Sequence, residues 1–256
     1  MDIRSLVEKW VFRLRTIPKT PKATPKPKGE RMFFDMKDIT IGNMPWQAGW
    51  EKNFDFKTDP LFRDNLPWDQ QISSPDNIIR EDDCLVMRMP KEENSKFAYL
   101  WSNFTIKYGT IRAMIKCPDA PGAWSAFWLF SNNGTPEHDM FEQCGGCANE
   151  VYVTHHWGYD YEDKFGKKST LHNTRYNRGF TPREDYYLYE VELTPYKVVY
   201  KINGIVVKTM RKGIPSGDNR ILFDIVKGNY CGTSTTQTIE KDAIMKIKYL
   251  EIFKIN

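Results

Sequence analysis

The chain has 256 residues, 40% of them hydrophobic and 14% aromatic, with no apolar run near the ~18 residues of a membrane span; disorder is excluded, and one large β or α/β domain or two small ones fit the length. Its formal charge of +4 is unevenly placed: residues 1–31 hold nine basic and three acidic side chains, and residues 32–256 hold 28 basic and 30 acidic ones. A slightly acidic body rich in Trp and Tyr lacks the footprint of a nucleic-acid binder and suits neutral, polyhydroxylated ligands.

In residues 1–17, Ile3, Leu6, Val7, Trp10, Val11 and Leu14 fall on one helical stripe. The spacing predicts an amphipathic helix that docks on a protein partner or a membrane surface. Glu8, Lys9, Arg13 and Arg15 interrupt its apolar stretch and no small-residue cleavage site follows, so it does not read as a signal peptide. Residues 18–31 alternate Pro18, Pro21, Pro25 and Pro27 with lysines, the composition of an extended, semi-rigid linker.

From residue 32 to 256 the dominant period is two. Strands are expected over Thr105–Lys116, Val151–His155, Glu190–Thr194, Lys197–Ile202, Ile221–Val226 and Ile244–Ile255, with turns at Pro121-Gly122, Asn132–Gly134, Gly145-Gly146, Asn203-Gly204 and Ser216–Asp218. Asn203-Gly204 between two β-branched runs suits a two-residue type I′ hairpin. Many short strands without an interior helix point to an all-β sandwich or jelly roll.

The stretch 132–148, NNGTPEHDMFEQCGGCA, places Glu137, Asp139 and Glu142 within six positions. In a strand, Glu137 and Asp139 share a face, and Glu142 joins them only if a β-bulge near Met140-Phe141 adds one residue. The cluster is either a solvated acidic turn or a carboxylate set of the kind that cleaves glycosidic bonds with retention, one nucleophile beside one acid/base.

The motif Glu137-His138-Asp139-Met140-Phe141-Glu142 resembles the bulged E-x-D-x-x-E of glycoside hydrolase family 16. The segments Gly122–Leu129, Tyr108–Ala113, Tyr189–Pro195 and Ile247–Phe253 resemble that family's flanking strands in the same order. The resemblance implies a concanavalin-like jelly roll over residues 32–256. It also implies a retaining, endo-acting β-glycosidase for β-1,3-glucan or a marine galactan, with Glu137 as nucleophile, Asp139 as assistant and Glu142 as acid/base. Alternatives are a non-catalytic carbohydrate-binding or structural module of a larger assembly, and a transglycosylase.

The chain departs from the pattern at several positions. His138 occupies an apolar, core-facing place; Arg112 and Met114 replace a usual Glu and Arg; Leu193 stands where Trp is common. Lys248 replaces an Asp that often holds calcium, so no metal is expected, and no cofactor. Candidate substrate contacts are Trp124, Trp128, His156, Trp101, Arg112, Trp157 and Tyr230. Of Trp124 and Trp128, one is expected to stack on sugar and the other to enter the core. The five cysteines include Cys144 and Cys147 in C-x-x-C spacing without the four ligands of a zinc site. Reduced thiols are expected, with a local Cys144–Cys147 bridge as the alternative. The sequence names no compartment; export within an extracellular particle or complex would reconcile a polysaccharide substrate with the missing signal.

Overall fold

The computed structural model describes residues 17–41, 46–48, 72–92, 96–131, 136–157, 170–171, 180–215, 217–227, 239 and 241–255. Apart from Ile17, the segment 1–17 expected to form a docking helix lies outside them, as do Tyr230 and the turn expected at Asn132–Gly134. In chain order the strands are β1 (Glu30–Asp35), β2 (Trp46–Ala48), β3 (Ile72–Ser73), β4 (Ile78–Glu81), β5 (Cys84–Met89), β6 (Lys96–Ser102), β7 (Tyr108–Lys116) and β8 (Ala123–Ser131). They continue as β9 (Glu137–Cys144), β10 (Tyr152–Trp157), β11 (Thr170–Leu171), β12 (Tyr187–Leu193), β13 (Val198–Ile202), β14 (Ile205–Met210), β15 (Asn219–Lys227) and β16 (Ala243–Ile255).

Two sheets form from them. The first runs β14-β13-β12-β7-β16-β5-β4, with β1 also on β16; the second runs β11-β10-β9-β8-β15-β6-β2, with β3 also on β6. Alternation decides what lies between them. Ile111, Ala113 and Ile115 of β7 face Phe127 and Leu129 of β8, Met140 and Phe141 of β9 and Ile221, Phe223 and Ile225 of β15 in one continuous core. This is the jelly-roll sandwich expected from the period-two pattern. Burying such apolar faces on both sheets is what holds the layers together.

The Asn203-Gly204 hairpin forms as expected, with both residues at positive φ, 47° and 78°. Asn203 does more than turn the chain: its Oδ1 accepts the Leu188 amide, and its Nδ2 donates to the carbonyls of Pro18 at 2.7 Å and Lys19 at 3.1 Å. The start of the Lys/Pro segment is therefore strapped to the domain rather than standing off it. Lys19 pairs with Asp185 at 2.9 Å and Ile17 is buried in the main core.

Gly109 shows how tightly the first sheet is drawn. It sits at φ 143°, and an added Cβ would stand 2.3 Å from the Phe253 carbonyl oxygen. Gly109→Ala is expected to lower stability by at least ~2 kcal/mol, read as a drop in thermal midpoint, because strain and a backbone collision act together.

Candidate active site

β9 lies in the second sheet between β8 and β10. Along β8, Phe130 pairs with Glu137, Trp128 with Asp139, Phe127 with Phe141 and Ala126 with Glu142, so Met140 is the extra residue. This is the bulge that the spacing demanded. His138, Met140, Phe141 and Gln143 are buried on the core side, and Glu137, Asp139 and Glu142 take the opposite face.

Around the carboxylates, Thr154 Oγ1 donates to Glu142 Oε2 at 2.6 Å. His156 Nε2 lies 3.4 Å from Asp139 Oδ2 and 4.0 Å from Glu137 Oε1. Burial, followed by repulsion from Asp139, pushes the Glu137 carboxyl well above the ordinary range. Burial and repulsion from Glu142 do the same to Asp139, and burial raises Glu142 against the hydrogen bond from Thr154. Like charges crowded on one buried face oppose one another's ionisation. Such a set, with one carboxyl protonated beside one ionised, is equipped for acid–base and nucleophilic work.

A cluster of aromatic residues lies on the same face of the sheet. Trp101, Trp124, Tyr99, Phe97, Leu222 and Val226 form a second apolar cluster separate from the core, with Trp128, Phe130 and Tyr152 against it. Trp124 and Trp128 both belong here, so neither enters the core: pairing on one strand with even spacing keeps them together. Trp124 stacks on Tyr152 with centroids 5.8 Å apart, and the Arg220 guanidinium lies 4.5 Å above the Trp101 ring.

Two expected contacts are elsewhere. Arg112 is on β7 of the other sheet and faces outward, paired with Glu251 at 2.5 Å and Glu190 at 3.5 Å, so it is a structural cation and not a sugar ligand. Trp157 shares the parity of His155 rather than of His156 and packs against the His155 ring, 5.7 Å between centroids. Its position follows from alternation along β10, one residue beyond the site face.

The cysteines depart from expectation as well. Cys144 is in a disulfide, contrary to the expectation of reduced thiols. Cys84, Cys117 and Cys147 keep their thiols, so a Cys144–Cys147 bridge is not formed. Lys248 pairs with Asp83 at 2.9 Å and covers the Tyr186 ring. Among the described residues, Glu137, Asp139 and His156 bring ligand atoms within 4.8 Å of one another.

Asp224 is a site residue that the sequence pattern did not single out. On β15 it pairs with Ala126 and Tyr99, and its Oδ2 accepts from Trp128 Nε1 at 2.6 Å. The available signal was an Asp in the middle of the apolar run Ile221–Val226, at the parity of Leu222 and Val226. Burial pushes its carboxyl up to about 7, and Glu142 adds repulsion. A carboxyl raised in the folded state carries no penalty below its unfolded pKa and a growing one as pH climbs to the folded value. Asp224→Asn should therefore raise the thermal midpoint at about pH 8 and leave it unchanged at about pH 3.

Residues 67–248 match the model of "Glycosyl hydrolases family 16". The chain belongs to this family. Endo-1,3-1,4-beta-glycanase EglC of Rhizobium meliloti (strain 1021) is 26% identical over 161 residues, covering 61% of this chain and 32% of the relative. The family 16 chain thus spans about a third of the length of the curated relatives it matches. The laminarinase catalytic domain of Thermotoga maritima MSB8 superposes with a TM-score of 0.71 at 21% identity, covering 91% of this chain and 100% of that one. Bacillus licheniformis beta-glucanase superposes with a TM-score of 0.67 at 16% identity, over 89% of this chain and 99% of that one. At these identities the structures confirm the family 16 jelly roll.

Proposed function

We propose that the domain is a retaining, endo-acting β-glucanase for β-1,3- or mixed β-1,3-1,4-linked chains. The observation that carries the reading is the Met140 bulge, which sets Glu137, Asp139 and Glu142 on one face amid Trp124, Trp128 and Trp101. The relatives named as laminarinase and endo-1,3-1,4-beta-glycanase support the substrate class. In this mechanism Glu142 protonates the glycosidic oxygen while the Glu137 carboxylate attacks the anomeric carbon. The leaving chain departs with the proton. Glu142 then takes a proton from water, whose oxygen displaces Glu137 from the same carbon. Asp139 and His156, beside Glu137, adjust its charge. The aromatic rings hold the CH faces of successive sugars.

The test is a panel of laminarin, mixed-linkage glucan, agar and carrageenan, read by new reducing ends and product length. Oligosaccharides of several lengths from either glucan are the expected result. Binding without new reducing ends overturns the enzymatic reading, and cleavage of only the galactans overturns the substrate class.

A further inference from the structure

Directly behind the carboxylates, inside the sandwich, sits a charge that the proposed chemistry does not use. Lys208 of β14 is only 6% exposed and stands opposite Tyr200 of β13. Its Nζ crosses from the first sheet to the second and donates to the Val153 carbonyl of β10 at 2.5 Å. Val153 marks the bulge from the other side: Tyr152 pairs with Glu142 and Thr154 with Asp139, so Val153 faces both Met140 and Phe141. A bulge interrupts the ladder, and a buried carbonyl there needs a donor from elsewhere. A neutral donor would satisfy it; a buried ammonium costs far more unless its charge is matched. Burial pulls that ammonium down to about 7, while Asp139 and Glu142 pull it back up.

The titratable groups packed around it are Asp139, Glu142 and His138 of β9, His155 of β10 and Tyr200 of β13. The histidines supply no competing charge. His155 Nε2 donates to the Lys212 carbonyl at 3.1 Å, which leaves its Nδ1 to accept, 2.7 Å from Tyr200 Oη and 3.1 Å from His138 Nδ1. Burial and, for His155, repulsion from Lys208 hold both rings neutral.

We propose that Lys208 is a positioning residue for the carboxylate trio. Its ammonium clamps β10 across the bulge and sets a cation on the core side of the sheet, behind the face that carries Asp139 and Glu142. The inference rests on the reading of that trio as catalytic, yet half of its test needs no substrate.

That half is a carboxyl-carbon NMR titration of Lys208→Met, Lys208→Gln and Lys208→Arg. Removing a cation raises neighbouring carboxyls, so in the neutral variants the Asp139 and Glu142 midpoints should rise by ~1 pH unit, and Lys208→Arg should restore most of the shift. On glucan, kcat should fall by ~10-fold or more with KM within ~2-fold, and the alkaline limb of the profile should follow Glu142 upward. Midpoints unmoved in a folded neutral variant overturn the proposal even if the wild type hydrolyses glucan. Moved midpoints support it even if no glucan is cleaved, which would instead overturn the glucanase reading. If both neutral variants and Lys208→Arg fail to fold, as judged by near-UV circular dichroism, the residue is structural only and the proposal falls.

Discussion

Glu137→Gln is expected to lower kcat on glucan by at least ~10,000-fold while the fold is retained. The amide has the shape of the carboxyl but cannot form the glycosyl ester, so the first chemical step is lost rather than slowed. Structure should survive because burial and Asp139 oppose the charge of this carboxyl more than His156, 4.0 Å away, favours it, so its removal relieves net repulsion. The thermal midpoint near neutral pH should therefore match or exceed that of the wild type. Stopped hydrolysis with an unchanged or higher midpoint is the supporting result. Hydrolysis within ~10-fold of the wild type would remove Glu137 from the nucleophile's role.

Glu142→Gln should separate the two halves of the reaction. The amide still accepts from Thr154 Oγ1, which donates to Oε2 at 2.6 Å in the wild type, so geometry is preserved while the proton is lost. Glucan, whose leaving alcohol needs that proton, should lose ~1,000-fold or more in rate. An aryl β-glycoside with an acidic phenol leaves without help, so its release should show a rapid first turnover. A slow steady state should follow, since water no longer has a base. Equal losses on both substrates would place the acid/base elsewhere. Asp224 is the alternative this comparison would expose, because it lies on the same face and stays protonated up to about 7.

Much of the site is legible in the sequence. The interval between Asp139 and Glu142 is odd in number, and a period-two strand can bring both to one face only by inserting a residue. Register shows Met140 to be that residue. Trp124 and Trp128 are legible as a pair on one face, but not as to which face, because alternation alone does not say which side meets the other sheet. Arg112 and Trp157 were misplaced for a related reason. Arg112 alternates correctly in a strand that belongs to the sheet without the site, and Trp157 continues β10 with the opposite parity to His156. Asp224, ~80 residues beyond the motif, joins it only through the pairing of β15 with β8, a contact of high sequence separation that local periodicity does not carry.

The net charge illustrates the same division. Composition alone separated a basic leading segment from a mildly acidic body, and local pattern alone established strands, the Asn203-Gly204 turn and a carboxylate motif needing a bulge. Those features depend on side-chain volume, φ preference and period, which act over a few residues. Only tertiary structure decided that the Lys/Pro run is bound down by Asn203 and that Cys144 is oxidised while Cys147 keeps its thiol. It alone placed Lys208 behind the trio. Each of these depends on which strands become neighbours, and that choice is made by burying both sheet faces together, a property of the whole chain rather than of any segment.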